Sequence, residues 1–388
     1  MHPSFDTILI AVLALAEWRI TVRLLRLARR RWEGRRWAAA CAAIVLFNLL
    51  VIFGYFCTSV EVFPHLPFSP HAAIFIGAVT MAYLGGAAAI LTVLQVFRWI
   101  RNYLDAPVDS GRRRVLNTAG NLMIAAPFAA MGYGTFIERT DFRVRETDVP
   151  LAGLPADLDG LQILHLSDIH LSAFLSEREL ARAIDACRQL RPQVALITGD
   201  LISAAGDPLD ACIRQLARLR SDAGIFGCLG NHERVAKAEN YTAAAGARAG
   251  VPFLRGQRQA LRFGQSTLNL AGVDYQPSSS RQHYLRGAGR LVDPAACNVL
   301  LSHNPDVFPV AAQQGYNLML AGHTHGGQVT VEILDQSLNP ARFLTRYVYG
   351  LYRSGAAATY VTRGIGTIGV PTRFGAPPEI ALLRLRKA

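Results

Sequence analysis

The chain has 388 residues, a formal net charge of +12 and 51% hydrophobic residues. This length exceeds that of one ordinary domain, and so high an apolar content is unusual for a soluble protein. We therefore expect two structural units, one of them in a membrane. The positive charge lies in short arginine blocks beside apolar runs, and no aromatic–basic motif accompanies it, which argues against a nucleic-acid-binding protein.

Four apolar stretches precede residue 140, and they cover Phe5–Leu25, Trp37–Cys57, Ala72–Phe97 and Val115–Ile137. The second and third carry no charge and reach the roughly 20 residues that a membrane-spanning helix needs. Glu17 and Arg19 interrupt the first, and the fourth is less apolar. The sequence predicts a transmembrane helical region of three or four spans over residues 1–137, followed by a second domain over residues 138–388.

The arginines predict the orientation of these spans. Arginine blocks lie between spans one and two and between spans three and four, whereas residues 58–71 contain no Lys or Arg. The positive-inside rule places the two arginine loops in the cytoplasm and everything after residue 140 outside it. The segment GRRRVLNTAGNLMIAAPFAA also resembles an internal twin-arginine export signal, and that interpretation exports the same domain. We therefore expect a multi-pass protein of a bacterial cytoplasmic membrane with an extracytoplasmic second domain.

After residue 140, short apolar runs alternate with amphipathic segments of helical length. LQILHLSD, VALITGD and GIFGCLGN read as buried strands separated by helices, which predicts βαβ units and a largely parallel sheet. From about Val251, LRFGQSTLNLAGVD reads as a hairpin, and NVLLSH, LMLAGH and TYVTRG as further strands. We expect an α/β sandwich of two sheets with helices outside. The local sequences around the cysteines favour mostly free thiols.

Polar clusters follow five of these strands. They contain Asp168 and His170, Asp200, Asn231 and His232, His303, and finally His323 and His325. The carboxyl ends of parallel strands meet at one edge of a sheet, so these side chains should share a crevice. Each cluster alone is also typical of a surface turn or a helix cap, but five in one chain favour a common site.

Carboxylate and imidazole groups suit Mn, Fe or Zn. The metal ligands suggested by these clusters number seven, too many for one ion and enough for two divalent metal ions that share a bridging carboxylate. They are Asp168, His170, Asp200, Asn231, His303, His323 and His325. Two ions so placed can clamp a phosphoryl group and activate a bridging water. The glycines before Asp200, Asn231 and His323 would let the backbone turn sharply off each strand.

This ordered series of motifs, spread over about Phe142 to Leu385, resembles the calcineurin-like metallophosphoesterase superfamily. The resemblance implies a four-layer α/β/β/α sandwich. It implies one metal on Asp168, His170, Asp200 and His325, and a second on Asp200, Asn231, His303 and His323, with Asp200 bridging. It also implies that His232 is catalytic, contacting the phosphate and protonating the leaving group without binding metal.

The segment LPADLDGLQILHLSDIHLS and the C-terminal residues resemble the membrane-associated branch of that superfamily. This branch includes exported phosphodiesterases of the YkuE type and transmembrane proteins with a metallophosphoesterase domain. Some members hydrolyse UDP-2,3-diacylglucosamine, whose synthesis at the cytoplasmic face conflicts with the topology predicted above. The expected partners are the lipid bilayer and a phosphoester substrate, lipids included, with the hydrolysed bond a phosphomonoester, phosphodiester or pyrophosphate.

Two other functions are compatible with the sequence: a metal-bound interaction module without turnover, and a membrane receptor or transporter with an accessory esterase domain. The intact ligand set with His232 argues against the first, and the lack of charge in spans two and three argues against the second. Three further residues, Arg373, Tyr347 and Gln328, are candidates either for substrate contact or for a structural role.

Overall fold

The structure, a computed structural model, describes residues 3–56, 70–103, 129–333 and 336–388. These residues form two compact units, one of residues before 134 with 369–371, the other of 134–368 with 372–388. The first unit contains three long helices: α1 (Pro3–Arg31), α2 (Gly34–Phe56) and α3 (Pro70–Tyr103). The first three predicted spans fall on these helices. Of the fourth, residues 115–128 lie outside the described part of the chain, and residues 129–136 are helical.

Helix α2 is the clearest membrane-spanning candidate. Among the described residues, Gly34–Tyr55 is the one stretch of helix long and apolar enough to cross a bilayer, and 11% of its most apolar window is buried. Large apolar side chains on it are exposed, among them Leu46, Leu49 and Ile52. The apolar part of α3 is shorter, at Phe75–Ala88.

A hydrogen bond joins α1 to α3: the Tyr83 hydroxyl donates to the Glu17 carboxylate at 2.7 Å.

The second unit is built from two facing β-sheets. The first sheet has the order β1 (Arg143–Leu151), β13 (Glu379–Lys387), β2 (Gln162–Leu166), β3 (Val194–Thr198) and β4 (Ile225–Cys228). The second has the order β11 (Gly350–Ser354), β12 (Ala357–Val361), β8 (Leu318–Ala321), β7 (Cys297–Leu301), β6 (Ser266–Gly272) and β5 (Gln257–Phe263). A separate hairpin pairs β9 (Val331–Ile333) with β10 (Gln336–Leu338). Both large sheets are mixed, and β2–β3–β4 and β6–β7–β8–β12 are parallel.

Helices cover the outer face of each sheet. On the first sheet lie α4 (Glu177–Cys187), α5 (Leu209–Leu216), the short α6 (Asn231–Val235) and α7 (Glu239–Arg248), and on the second lies α8 (Phe308–Gln313). Alternate residues of a strand face opposite layers. In β2, Ile163 points into the core between the sheets and Leu164 into the core under the helices. The predicted four-layer α/β/β/α sandwich is confirmed.

The cysteines that the structure describes are free. Cys187, Cys212, Cys228 and Cys297 are buried in the sandwich, and Cys41 on α2 is half-buried. Burial raises the pKa of Cys187 and of Cys297 to about 12, so both remain thiols at neutral pH. These residues pack as small apolar side chains, as their local sequences predicted.

Candidate metal centre

The polar residues that follow β2, β3, β4, β7 and β8 converge at one edge of the sandwich. Five of the seven predicted ligands are buried, namely Asp168, His170, Asp200, His303 and His325. Asn231 and His323 are half-buried, as is the neighbouring His232. The site therefore has a buried floor and a partly open side through which a ligand can enter.

The ligand atoms form two groups. Asp168, His170 and His325 form one, and Asp200, His303 and His323 form the other, with the candidate ligand atoms of each group within 4.8 Å of one another. In the first group, His325 Nε2 lies 3.3 Å from Asp168 Oδ1. In the second, His303 Nε2 lies 3.0 Å from Asp200 Oδ2 and 3.2 Å from His323 Nδ1.

Asp200 lies between the two groups. Its Oδ2 is 3.0 Å from His303 Nε2 in one group and 3.5 Å from His170 Nε2 in the other. A short carboxylate in this position can offer an oxygen to each of two ions. His232 also approaches this pair, since a ring nitrogen of His232 groups with His170 and Asp200.

The chemistry of the pocket fits divalent cations. It contains two buried carboxylates, Asp168 and Asp200, and the four imidazoles of the predicted ligands. Because uncompensated buried charge is costly, bound cations would stabilise these carboxylates. His170 Nε2 and Asn231 Oδ1 are buried and have no hydrogen-bond partner among the described residues. Buried polar atoms are nearly always satisfied, and these two acceptors fit a divalent cation, which accepts a lone pair.

The electrostatics of three of the histidines, His170, His323 and His325, agree with ligand chemistry. Burial lowers the pKa of His170 to about 3 and of His323 to about 4, and it also lowers that of His325. Neutral imidazoles with a free lone pair are the form that binds metal. Burial also lowers the pKa of His303, but the Asp200 and Asp168 carboxylates outweigh it and raise that pKa to about 10.

Backbone hydrogen bonds hold these side chains in place. The His303 ring bonds through Nδ1 to the Thr198 carbonyl at 2.5 Å, which directs Nε2 at Asp200. The His323 backbone N–H donates to both oxygens of Asp168 at 3.0 Å. Such outer contacts fix the orientation of metal-binding side chains.

Comparisons with known proteins identify the family. A family profile described as "Calcineurin-like phosphoesterase" matches residues 161–327. The chain is 31% identical to "Phosphodiesterase YaeI" of Escherichia coli (strain K12) over 237 residues, which are 58% of this chain and 82% of that protein. The chain belongs to the calcineurin-like phosphoesterase family.

Two further relatives extend this similarity. "Uncharacterized metallophosphoesterase YkuE" of Bacillus subtilis (strain 168) is 28% identical over 282 residues, covering 71% of this chain and 98% of that protein. "Transmembrane protein with metallophosphoesterase domain" of Danio rerio is 28% identical over 369 residues, covering 89% and 80%. The chain is a metal-dependent phosphoester hydrolase of this family. Helix α2 and the relatives named as transmembrane proteins indicate association with a membrane.

The glycines of this phosphoesterase act in two ways. Gly199 has a φ of +84° and turns the chain off β3, as predicted. Gly230 and Gly322 lack a positive φ, so the same prediction was wrong for them. These two positions require glycine because no side chain would fit. A Cβ on Gly230 would overlap the Asp200 carboxylate, and a Cβ on Gly322 would overlap the Ser167 and Asp168 side chains.

The three candidates for substrate contact each make contacts within the phosphoesterase domain. The Arg373 side chain is fully buried and donates hydrogen bonds to main-chain carbonyls. Gln328 exchanges side-chain hydrogen bonds with the backbone of Ile368, and the Tyr347 ring packs edge-on against Phe308.

Two further residues at the site were not predicted from the sequence. The Tyr275 ring centroid lies 5.5 Å from that of His323 and 6.0 Å from that of His303, at the open side of the phosphoesterase site. Glu233 is buried under Asp200 and accepts three backbone N–H groups. Tyr275 follows β6 as the ligands follow their strands, so its position at a strand end was a usable signal.

Proposed function

We propose that this chain is a membrane-anchored, two-metal phosphoesterase that hydrolyses a phosphomonoester, phosphodiester or pyrophosphate bond in a membrane lipid. The observation that supports it best is the pair of His/Asp groups on either side of Asp200. The exposed apolar surface of α2 and the relatives named as transmembrane proteins support the anchor. UDP-2,3-diacylglucosamine becomes the first lipid to test if the catalytic domain proves to lie in the cytoplasm, because the synthesis of this lipid at the cytoplasmic face conflicts with the extracytoplasmic placement proposed below.

The ligands divide between two divalent ions of the Mn, Fe or Zn type. Asp168, His170 and His325 would hold one ion with Asp200, and Asn231, His303 and His323 would hold the other with the same carboxylate. Such a pair of ions supplies charge stabilisation to a phosphoryl group and lowers the pKa of a bound water. The buried, unpartnered His170 Nε2 and Asn231 Oδ1 support this division.

His232 is the proposed acid for the leaving group. Its Nδ1 donates to the Ser203 carbonyl at 2.5 Å, and its backbone N–H donates to Asp200 Oδ1 at 2.9 Å. These two contacts fix the ring and leave Nε2 to hold a proton for the departing oxygen. The half-buried position of His232 keeps that nitrogen within reach of a substrate at the open side.

We further propose that the first unit is inserted in a bacterial cytoplasmic membrane by three or four spans and that residues 138–388 form an extracytoplasmic catalytic domain. A tether raises the local concentration of a substrate in the same bilayer. This placement rests on the arginine blocks at residues 26–36 and 98–114.

The decisive experiment measures hydrolysis of diphenyl phosphate and of bis-p-nitrophenyl phosphate by the full-length protein in detergent with Mn²⁺. On diphenyl phosphate, whose strongly basic phenolate needs a proton to leave, we expect His232→Gln to lower kcat by about 10²–10⁴-fold, the usual contribution of a general acid. The loss should be much smaller on bis-p-nitrophenyl phosphate, whose leaving group departs as a stable anion, and the Mn²⁺ affinity should change little. The matched control is His283→Gln, which alters an exposed histidine far from the ligands in sequence. Equal activity of His232→Gln and His283→Gln on diphenyl phosphate would remove His232 from the mechanism.

The substrate class is tested in cells. Lipid extracts from cells that express the wild-type chain are compared with extracts from cells that express Asp200→Asn. We expect one phosphorylated lipid to accumulate in the variant and its dephosphorylated or cleaved product in the wild type. Identical lipid profiles, combined with full activity on the soluble substrate, would refute the lipid substrate and leave the hydrolase intact.

A further inference from the structure

An arginine stripe runs along one face of α1 in the first unit. Residues 18–36 contain eight arginines and a single acidic residue, Glu33. Four of the arginines, Arg19, Arg23, Arg26 and Arg30, are spaced by four, three and four residues and therefore lie on one side of the helix. Arg26 and Arg30 form no ion pair with any residue that the structure describes.

These four arginines line a cavity between α1 and α3. Its volume is about 560 Å³, within the range of ligand-binding pockets, and Trp18 and Gln95 also line it. The Gln95 side-chain oxygen accepts a hydrogen bond from Arg19 Nη1 at 2.6 Å, which directs this guanidinium across the seam between the two helices. Among the residues that the structure describes, four guanidinium groups and no carboxylate line this cavity, which is the chemistry of an anion site.

An apolar groove continues from the cavity along the same seam. It shares Arg19, Leu91 and Gln95 with the cavity and is then lined by Leu15, Ala16, Ala88, Thr92 and Val96. Its volume is about 190 Å³. The groove extends toward the N-terminal part of α1, away from the arginine-rich end, so a charged head and an apolar tail would fit end to end.

The two helices run in the same direction, which sets where each part of the seam would lie in a bilayer. Ala16 lies beside Ala88, whereas Arg19 lies beside Gln95, further along both helices. The arginine-rich end of α1 leads into the Arg29–Arg31 block, which the positive-inside rule assigns to the cytoplasmic face. In that orientation the cavity opens among the headgroups and the groove points into the hydrocarbon.

We propose that the α1–α3 seam binds one anionic phospholipid from the cytoplasmic leaflet, with its phosphate among Arg23, Arg26 and Arg30 and an acyl chain along Leu15 and Ala16. Basic pockets between membrane helices on the cytoplasmic side recognise such headgroups. A free phosphate ion would use the arginines and leave the adjoining apolar groove without an occupant, so the groove favours a lipid. This inference rests on the proposed insertion of the first unit in a membrane.

The test uses the full-length protein in a neutral detergent, titrated with phosphatidylglycerol or phosphatidylcholine and followed by native mass spectrometry. Arg26→Gln/Arg30→Gln alters two cavity arginines. The matched control, Arg29→Gln/Arg31→Gln, removes the same charge from neighbouring residues that do not line the cavity. Hydrolysis of bis-p-nitrophenyl phosphate by each variant checks that the protein is folded.

We expect phosphatidylglycerol to bind at least about tenfold more tightly than phosphatidylcholine, and the cavity variant to lose about tenfold or more of that affinity. The control variant should change it by less than about twofold. Equal losses in the two variants, or no preference for phosphatidylglycerol, would overturn the proposal, because either result indicates diffuse surface charge. Displacement of the lipid by millimolar inorganic phosphate would overturn it in favour of a free-phosphate site.

Membrane fractionation separates the two proposals. A wild-type protein that leaves the membrane fraction on mild alkaline washing would refute the anchor, and with it the lipid site. A protein that stays in the membrane but binds both lipids equally would refute the lipid site alone and leave the anchored hydrolase standing.

Discussion

Five of the seven predicted ligands have a left-handed backbone. Their φ angles are 51° at Asp168, 48° at His170, 55° at Asp200, 75° at His323 and 53° at His325. Such a conformation costs about 1–3 kcal/mol at a residue other than glycine and persists only where surrounding contacts enforce it. Hydrogen bonds of the main-chain N–H groups support four of the five: Asp168 and His170 donate to backbone carbonyls, and His323 donates to the Asp168 carboxylate. Asp200 donates to the buried carboxylate of Glu233.

Replacing Glu233 should weaken the whole site. Its carboxylate accepts the N–H groups of Asp200 at 3.0 Å, Leu201 at 2.6 Å and Gly230 at 2.7 Å, and the amide in Glu233→Gln would turn a donor toward at least one of them. Each hydrogen bond to a charged group contributes about 1.5–3 kcal/mol, so we expect the melting temperature to fall by about 5–10 °C. Calorimetric titration should also show weaker Mn²⁺ binding.

The control for Glu233 is Glu146→Gln, which changes an exposed carboxylate on β1. It should leave both the melting temperature and the Mn²⁺ affinity unchanged within about 2 °C and twofold, since exposed ion pairs contribute little. If Glu233→Gln behaves like Glu146→Gln, the carboxylate does not support Asp200.

Residues that act through their own side chains were easier to predict than residues that act through the backbone. Asp168 and His323 follow apolar runs, and their residue types point directly to metal chemistry. The role of Glu233 was not predicted, because its three partners are main-chain groups up to 33 residues away. Sequence spacing does not show which backbone groups lack a partner.

At the scale of elements, the loop between β12 and β13 holds the floor of the site. Arg373 lies in this loop and donates to the carbonyls of His325, Arg363, Gly364, Gly366 and Ala376. The same loop passes beneath Asp168, where a Cβ on Gly364 would collide with the Asp168 side chain. One guanidinium therefore ties the segment after β8 to the segment after β12.

We expect Arg373→Met to destabilise the phosphoesterase domain strongly. Several buried carbonyls would lose their donor, and each unsatisfied group costs about 1–3 kcal/mol, so a loss above about 3 kcal/mol should follow. Arg373→Lys restores the charge without the planar fork of donors. The Arg373→Lys protein should fold yet bind Mn²⁺ about tenfold more weakly, because the main-chain carbonyl of His325 loses the donor that holds this residue in place.

Arg353→Met is the matched control for Arg373, since Arg353 is exposed on β11. It should match the wild type in thermal unfolding and in calorimetric Mn²⁺ titration. A folded Arg373→Lys protein with wild-type Mn²⁺ affinity would show that Arg373 stabilises the fold without positioning the site.

The strands that the sequence did not predict are those with little apolar alternation. β1 (RVRETDVPL) is charged and mostly exposed over its first five residues, and it is defined by parallel pairing with β13 from the far end of the chain. β2, β3 and β7 have interiors that are buried on both faces, and their apolar runs identified them. Pairing of an edge strand such as β1 with a strand from the far end of the chain leaves no local signal.

At the scale of the whole molecule, the two units differ in where their apolar side chains lie. The first exposes apolar side chains on α2, while the second buries its apolar residues in three layers of core and exposes charged strands such as β1. Exposed Leu and Ile over a helix of this length are typical of a surface that meets lipid. With the first unit inserted as proposed, the side of the membrane on which the catalytic domain lies depends on whether the chain crosses the bilayer once more after α3.

Reporter fusions should show on which side of the membrane the catalytic domain lies. Alkaline phosphatase, which is active only when exported, would be fused after Tyr103 at the end of α3 or after Ala388 at the end of the catalytic domain. We expect activity only from the second fusion, because Arg98, Arg101 and Arg112–Arg114 retain the loop after α3 in the cytoplasm and a fourth crossing exports the catalytic domain. A fluorescent protein that folds only in the cytoplasm should give the reverse pattern. Phosphatase inactivity at both positions would place the metal centre on the cytoplasmic side, where a substrate made at that face could reach it directly.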